Sequence, residues 1–336
     1  MGIKNLSKIL KDFSPECIKQ IKLNDLGGKK VVLDASLIIY QYVIAIRGTG
    51  SDLINDEGKM TTHILGILNK TFLFLSNNII PIFVFDGKAP LLKANTLKSR
   101  KDSKQKSLDK LKDDDYENEE DRIKDFKRSF TLTKEQITQI KEILQIIGIP
   151  YLESVTEADP LCAEVIKKQY AYGVVSEDMD ILTFGSDKLI RGSVKKLVEI
   201  DRIKMLDDLQ INQDEFIDLC ILLGCDYVPT IPKIGPKKAY DLILKYRNIE
   251  KILENEGKKY SIPENFNYKD AREIFKNTDL VKISQNKLKV KKANFNKFKE
   301  KMVDIYDFEL NTVNKYINKL KSYHSKYNNS KVKNNI

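Results

Sequence analysis

Short apolar runs alternate along the chain with segments whose apolar residues recur at helical spacing. The runs Val31–Leu33, Ile79–Phe85 and Ala171–Val175 have the length and composition of buried strands. Thr133–Ile147 carries a stripe of isoleucine and leucine that predicts a helix. Strands and helices that alternate in this way indicate an α/β fold with an open sheet.

Acidic residues follow these apolar runs. The three runs end at or shortly before Asp34, Asp86 and Asp178. Open α/β sheets place their active sites beyond the carboxyl ends of the strands, where these side chains would lie. The repeated arrangement of apolar strand and then acid therefore predicts a shared acidic site at one edge of the sheet.

Two acidic pairs, Glu157/Asp159 and Asp178/Asp180, each have a single residue between their members. Hard divalent cations prefer oxygen ligands, so two such pairs can hold Mg²⁺, or Mn²⁺ in its place. Each pair also has a simpler interpretation. Asp159 before Pro160 is typical of a helix start, and Asp178-Met179-Asp180 is similar to the acidic triplet of metal-dependent sugar transferases.

Charge and residue counts narrow the function classes. The chain has 336 residues, a formal charge of +10 and a pI near 9.1, which favours a protein that binds phosphates. Its four cysteines lack the spacing of a zinc site and only two histidines occur, so neither a zinc centre nor a Ser-His-Asp triad is expected. Reduced thiols are the simplest expectation, and no signal peptide or membrane span is expected.

A charged segment from Lys88 to Lys134 contains few apolar residues, with lysines mainly in its first half and acids after them. Such a run is by default a solvated loop or linker, because it cannot bury a face of its own. Lys93 and Arg100, however, are seven residues apart and so share one face of a helix that would follow Asp86. This spacing predicts two cations over the acidic cluster, where a phosphate would bind.

Two further features are compatible with DNA binding. A predicted helix ends at Gly224-Cys225-Asp226, which adds a seventh acid and leads into the turn Ile231–Ala239. The turn is similar to a helix-hairpin-helix, whose backbone N–H groups and lysines hold DNA phosphates, but a plain Gly-Pro helix start fits it equally well. Tyr40, in the helix after Asp34, is either a core residue or a stacking platform for a base.

Taken together, these residues resemble the flap endonucleases of the xeroderma pigmentosum group G type. The resemblance covers nearly the whole chain, to about residue 320, and is carried by long motifs in a fixed order. The N-terminal motifs are Met1-Gly2-Ile3, Leu33-Asp34-Ala35-Ser36 and Val84-Phe85-Asp86-Gly87-Lys88. The internal motifs are Glu157-Ala158-Asp159, Ser176-Glu177-Asp178-Met179-Asp180, Leu222-Leu223-Gly224-Cys225-Asp226-Tyr227 and Ile234-Gly235-Pro236-Lys237.

The resemblance implies a PIN-like 5′-nuclease fold: a mixed, mostly parallel sheet flanked by helices, with a helical arch and a helix-hairpin-helix element. It implies 5′ flap endonuclease and 5′–3′ exonuclease activity in DNA replication and repair, through two-metal-ion phosphodiester hydrolysis. Lys93 and Arg100 would stabilise charge on the scissile phosphate. Two Mg²⁺ ions are implied, the first held by Asp34, Asp86, Glu157 and Asp159 and the second by Asp178, Asp180 and Asp226.

Other contacts and partners are likewise implied by the resemblance. Branched DNA with a 5′ flap or nick is the expected substrate, and Tyr40 would stack on one of its bases. A K⁺ ion is expected on the carbonyls of the turn, although Lys233 replaces the usual glycine and puts that geometry in doubt. Further DNA contacts are implied for Arg47, Lys70, Glu157, Gly224, Asp226, Gly235, Lys237 and Lys238.

The sliding clamp is a usual partner of the family, but the peptide that binds it is not found here. Gln285 and Leu288 match that peptide in part, whereas Lys291-Lys292 stands where its two aromatic residues belong. Asp159 is another departure, since the family more often has the longer glutamate there. A monomer is expected, without membrane association, in the nucleus or in a viral replication compartment.

Three functions compete with this interpretation: an exonuclease or junction resolvase of the same superfamily, a non-catalytic DNA-binding scaffold, and a sugar transferase. The presence of all seven acids argues against the scaffold. A transferase would leave Asp34, Asp86 and Asp226 unexplained.

The predicted domain organisation follows the same resemblance. The expected regions are 1–105 and 123–254 for the nuclease, 88–134 for a charged mobile arch, 226–245 for the helix-hairpin-helix, 255–322 for C-terminal helices and 323–336 for a disordered tail.

Overall fold

Seven strands form one sheet in the computed structural model, which describes residues 2–114, 116–277 and 281–333. The strand order is β1-β7-β6-β5-β2-β3-β4. Strands β4, β3, β2, β5 and β6 pair in parallel, whereas β7 is antiparallel to both β6 and β1, so the predicted mixed and mostly parallel sheet is confirmed. The strands are β1 Ile18–Ile21, β2 Lys30–Asp34, β3 Ile80–Phe85, β4 Tyr151–Glu153, β5 Gly173–Val175, β6 Lys188–Ser193 and β7 Lys196–Asp201.

Helices cover both faces of this sheet, as expected for parallel strands that must be buried on both sides. The first seven are α1 Leu6–Phe13, α2 Ala35–Arg47, α3 Thr62–Ser76, α4 Ala94–Asp113, α5 Glu119–Ser129, α6 Lys134–Ile147 and α7 Ala158–Lys167. The others are α8 Asp180–Thr183, α9 Arg202–Asp208, α10 Gln213–Leu223, α11 Pro236–Tyr246, α12 Ile249–Glu256, α13 Tyr268–Lys276, α14 Phe295–Glu300 and α15 Leu310–Lys333.

The core consists of two apolar layers, one on each face of the sheet. Strand β2 supplies both, because successive side chains of a strand point to opposite faces. Val32 packs in the layer that contains α1, α7 and α10, whereas Val31 and Leu33 pack in the layer that contains α2, α3 and α6. Residues from both predicted nuclease regions pair within the same sheet, so neither region has a core of its own.

The charged segment forms two helices that pack on one another, α4 and α5. We call residues 93–130, which are these two helices with their caps Lys93 and Phe130, the arch. From its sequence, this segment was expected to be unable to bury a face of its own. Ser107 of α4 and Asp125 of α5 are nevertheless both buried, and a hydrogen bond of 2.7 Å joins them. Polar contacts thus replace the apolar ones that the sequence lacks, while the mobility of the arch stays a prediction.

Strands β6 and β7 form a hairpin over residues 188–201. The expectations for the tail, the cysteines and membrane-spanning helices can also be compared with the structure. The tail predicted to be disordered from residue 323 differs: α15 continues to Lys333 because Tyr323 is buried against the core, and residues 334–336 lie outside the described range. All four cysteines are buried and unpaired, and within the described ranges no helix is long and apolar enough to span a membrane.

Candidate active site

Acidic side chains collect at the carboxyl ends of four neighbouring parallel strands, β5, β2, β3 and β4. Asp34 ends β2 and caps α2, since its Oδ1 accepts a hydrogen bond of 3.0 Å from the Leu37 N–H. Asp86 follows β3, and its Oδ1 accepts from the Ala158 N–H at 2.9 Å. That second bond holds the start of α7 next to the end of β3, so Glu157 and Asp159 lie at the same edge of the sheet as Asp34 and Asp86.

The N-termini of α7 and α8 position the two acidic pairs. Glu157 and Asp159 flank the first residue of α7, and Asp180 is the first residue of α8. The Asp178 carboxylate accepts a hydrogen bond of 3.0 Å from the Asp180 N–H, which fixes the spacing between these two acids. The N-cap interpretation of Asp159 is not supported, because Glu157 holds the cap position and Asp159 lies inside the helix.

The arch delivers the two predicted cations to this cluster. The Lys93 ammonium forms an ion pair with Glu157 Oε1 and lies 3.3 Å from Asp226 Oδ2. Arg100 reaches the same Asp226 oxygen at 2.7 Å, and Thr96 donates to the Asp226 carbonyl at 2.9 Å. Lys93 is buried, so its charge is screened little by solvent. Helical spacing therefore predicted correctly that both cations lie over the carboxylates.

Burial and mutual repulsion raise the pKa of several of these acids. Desolvation, with the neighbouring Asp86 and Asp178, raises the pKa of Asp34 to about 8. The same causes, burial first, raise the pKa of Asp159 and of Asp180 well above their usual range. Burial alone would lower the pKa of Lys93, but Glu157 and Asp226 outweigh it and raise that pKa. The cluster thus holds more negative charge than Lys93 and Arg100 neutralise.

The donor set suits hard divalent cations. All seven candidate ligands supply carboxylate oxygens, the ligands that Mg²⁺ prefers. Asp159 Oδ1 and Asp180 Oδ1 are buried oxygens without a hydrogen-bond partner, a costly state that a cation would relieve. Within residues 2–114, 116–277 and 281–333, no three His, Cys, Asp or Glu side chains converge closely enough to hold one ion as they stand. The Lys93 ammonium contacts both Glu157 and Asp226, one from each of the two acid groups.

Comparison with known proteins identifies the family. The XPG N-terminal domain matches residues 1–107 and the XPG I-region matches residues 148–226. Flap endonuclease 1 of Entamoeba histolytica is 38% identical over 97% of this chain and 89% of its own length. Flap endonuclease 1 of Aedes aegypti is 42% identical over 86% of this chain and 78% of its own. The chain belongs to the XPG family of flap endonucleases.

Solved structures agree with this assignment. The flap endonuclease-1 from Methanococcus jannaschii superimposes with a TM-score of 0.72 at 28% identity, over 95% of this chain and 99% of that one. The catalytic core of Rad2 in complex with a DNA substrate has a TM-score of 0.73 at 21% identity, over 95% of this chain and 100% of that one, which shows the shared fold. Nucleases of the flap endonuclease family depend on metal ions, in keeping with the donor set above.

Three residues predicted to contact DNA also make contacts within the protein, and their DNA contacts stay a prediction. The Tyr40 ring packs edge-on against Phe130 at 5.1 Å, and its hydroxyl accepts from the Leu132 N–H at 3.4 Å. Arg47 is buried against the end of the arch. Lys70 is partly buried, its ammonium 5.3 Å from the centre of the Phe74 ring, and burial lowers its pKa. The structure brings none of these three into the carboxylate cluster.

The turn expected to bind DNA phosphates is well formed. Gly235 caps α11 and has open space where a side chain would project, while Lys237 and Lys238 are exposed in the first turn of that helix. Lys233, which replaces the glycine usual in flap endonucleases, has a φ of 66°, in the left-handed region that glycine adopts readily. Lys233 therefore adopts a backbone conformation that a glycine at this position could also adopt.

Two residues near the cluster received no role from sequence reasoning. The Tyr227 hydroxyl donates to Glu157 Oε2 at 3.0 Å, and its ring packs against Phe275. Gly2 has a φ of 79°, and an added Cβ would lie 1.9 Å from Asp178 Oδ1, so only glycine fits there. Both residues lie within motifs that carry the family resemblance, and this position was the only sign in the sequence that they matter. Their contacts with the acids become visible only in the fold.

Proposed function

We propose that this flap endonuclease removes 5′ flaps at junctions with duplex DNA and degrades 5′ ends exonucleolytically, during replication and repair. The processes concerned are Okazaki fragment maturation and long-patch base excision repair. The observation that carries the proposal is the cluster of seven carboxylates beneath an arch whose Lys93 and Arg100 reach into it. Products with a 5′-phosphate and a 3′-hydroxyl are expected.

The proposed ligands form two sets. When bound, two Mg²⁺ ions would activate water and stabilise the leaving oxygen of an in-line displacement. Mn²⁺, another hard cation, could replace them. The first set is Asp34, Asp86, Glu157 and Asp159, and the second is Asp178, Asp180 and Asp226.

Lys93 and Arg100 would change partners when a phosphate arrives. In the structure both cations are paired with the carboxylates of Glu157 and Asp226. A DNA phosphate that entered beside them would take over these contacts, so the buried Lys93 and the exposed Arg100 would both remain paired throughout. This exchange would align the scissile phosphate with the carboxylate cluster without leaving the buried ammonium of Lys93 unpaired.

Most of the DNA-binding surface would lie outside the carboxylate cluster. The exposed turn from Gly235 to Lys238 presents backbone N–H groups and lysines suited to phosphates, without sequence preference. We include K⁺ bound to the carbonyls of this turn in the proposal, because Lys233 has a left-handed backbone conformation of the kind that glycine adopts readily. Gly224, Asp226 and Glu157 would contact DNA near the cluster.

The proposal also covers partners and location. We propose a monomer that acts on branched DNA in the nucleus, or in a viral replication compartment. The sliding clamp would not be tethered through Gln285–Leu288, because this stretch is a short 3-10 helix with Leu288 buried in the core. Residue 288 would have to leave the core before it could enter a clamp pocket.

A cleavage assay tests the function directly. Labelled flap, nicked and blunt DNA is incubated with Mg²⁺ and either the parent protein or Asp180→Asn, and each cut is mapped. The parent is expected to cut at the flap junction, and Asp180→Asn to bind the flap at least as well without cutting it, because repulsion of DNA phosphates is reduced. Asp270→Asn, an exposed carboxylate on α13, is the matched control and should cut normally. Cutting by Asp180→Asn within tenfold of the parent would contradict the proposed site.

A further inference from the structure

A buried network of ion pairs joins the three helices α10, α12 and α13. Arg272 of α13 donates from its Nε and one terminal nitrogen to the two oxygens of Asp218 on α10, each at 2.7 Å. The same guanidinium donates to the two Glu250 oxygens of α12 at 2.8 and 2.9 Å. The buried Asp218 also accepts a hydrogen bond of 3.0 Å from the Ile249 N–H, at the start of α12. The three helices are therefore held together around one guanidinium.

The contact between Arg272 and Asp218 fixes an orientation as well as a distance. Two parallel N–H···O bonds to one carboxylate require the planar guanidinium, and a lysine ammonium cannot reproduce them. Burial raises the pKa of Asp218, and the Arg272 guanidinium opposes that rise. An unpaired carboxylate in this buried place would be costly, so α13 has one preferred position against α10.

The position of α13 matters because this helix carries Phe275, three residues after Arg272. The buried Phe275 ring lies 5.0 Å from the centre of the Phe184 ring. It also meets the Tyr227 ring in a T-shaped arrangement, with 5.2 Å between the ring centres. Aromatic pairs of this kind have preferred orientations, so Phe275 restricts how the Tyr227 ring can lie.

Both of these partner rings are next to candidate metal ligands. Tyr227 directly follows Asp226, and its hydroxyl donates to Glu157 Oε2 at 3.0 Å. Phe184 directly follows the short helix α8, and its N–H donates to the carbonyl of Asp180, the first residue of that helix, at 2.9 Å. A shift of α13 would therefore move groups that hold three acids from separate parts of the chain.

We propose that Arg272 and Phe275 are positioning residues for the carboxylates that bind metal in the proposed function. Arg272 fixes α13 on Asp218, and Phe275 then holds Tyr227 in the orientation that presents its hydroxyl to Glu157. The inference rests on the proposed function for its consequence in cleavage, whereas the contacts stand without it. Removing groups that orient metal ligands typically costs about ten- to a hundredfold in metal affinity or activity.

Two variants and a matched control test this role. Phe275→Leu keeps an apolar side chain but removes the ring, and Arg272→Lys keeps the charge but loses the two-pronged contact. Asp214→Asn is the control, because Asp214 also joins α10 to α13, through a more exposed ion pair with Lys276 at 2.7 Å. Such a surface pair contributes little to stability. All proteins are compared at a temperature where circular dichroism shows each of them to be folded.

Binding of Mn²⁺ to the DNA-free protein is the first readout, because it needs no cleavage. Phe275→Leu and Arg272→Lys are each expected to weaken Mn²⁺ binding by about three- to tenfold, as followed by electron paramagnetic resonance. Asp214→Asn should bind Mn²⁺ like the parent. Unchanged Mn²⁺ affinity in Phe275→Leu would overturn the proposal, and so would an equal loss of affinity in Asp214→Asn.

Single-turnover cleavage of a 5′ flap at saturating Mg²⁺ is the second readout. Phe275→Leu is expected to cut about tenfold more slowly, while flap affinity changes less than about threefold. Adding Tyr227→Phe should slow cleavage little further, because both changes act through one hydroxyl.

A ring with a merely structural role would give a different result. It would lower the midpoint of thermal unfolding and leave the cleavage rate of the folded protein unchanged, which would overturn the proposal. A loss of flap affinity at an unchanged rate would overturn it as well. If the parent bound Mn²⁺ but failed to cut flaps, the proposed function would fail, while the comparison of Mn²⁺ affinities would still decide the positioning role.

Discussion

Asp34→Asn separates the charge of the active site from its structure. The amide oxygen of the new side chain could still accept the hydrogen bond from the Leu37 N–H, because asparagine caps helices about as well as aspartate. The substitution therefore removes a carboxylate while it keeps the start of α2 intact. We expect the variant to lose cleavage but to be more stable than the parent when divalent cations are removed by a chelator.

The magnitude follows from the pKa of Asp34. Burial, Asp86 and Asp178 raise that pKa from 3.8 to about 8. Between these two values the folded parent binds a proton that the unfolded chain releases, so its stability falls as the pH rises. Each pKa unit corresponds to about 1.4 kcal/mol, so the penalty at pH 7 has an upper bound of about 4 kcal/mol. Partial exposure and relaxation of neighbouring acids should reduce it to about 1–3 kcal/mol.

Chemical unfolding of both proteins in chelator between pH 5 and pH 8 measures this effect. Asp34→Asn should be only slightly more stable at pH 5, and its advantage should grow toward pH 8, because asparagine does not titrate. Added Mg²⁺ should then stabilise the parent more than the variant, since only the parent regains a neutralised carboxylate. An advantage that is absent at pH 8, or that does not grow with pH, would refute repulsion as the cause.

Three further predictions concern single side chains. Tyr227→Phe leaves Glu157 Oε2 without its donor, so we expect about tenfold slower cleavage at unchanged flap affinity, measured under single turnover. Lys233→Gly relieves a left-handed backbone in a side-chain-bearing residue and should raise the free energy of unfolding by about 0.5–1 kcal/mol; a loss of stability would contradict this. Lys93→Ala and Arg100→Ala should each raise the cleavage barrier by about 2–4 kcal/mol, and an unchanged single-turnover rate would exclude that role.

The sequence alone predicted the sheet and the acids at its edge. Apolar runs of strand length are recognisable because a parallel strand must be buried on both faces. An acid directly after such a run is then placed by chain geometry, since the carboxyl ends of parallel strands meet at one edge. Asp34, Asp86 and the Asp178/Asp180 pair follow this rule. Seven-residue spacing likewise placed Lys93 and Arg100 on one helical face, because helical periodicity is a local property.

Only the tertiary structure shows which residues far apart in the sequence come into contact. Arg47 contacts residues 5 and about 80 positions away, and no local sequence pattern predicts that these residues come together. Tyr227 and Gly2 are near the carboxylates for the same reason: the acids they approach are far away in the sequence. The tail from residue 323 was judged from composition, yet Tyr323 finds a buried place against the core. Periodicity determines elements, whereas burial and pairing of side chains depend on which elements the fold brings together.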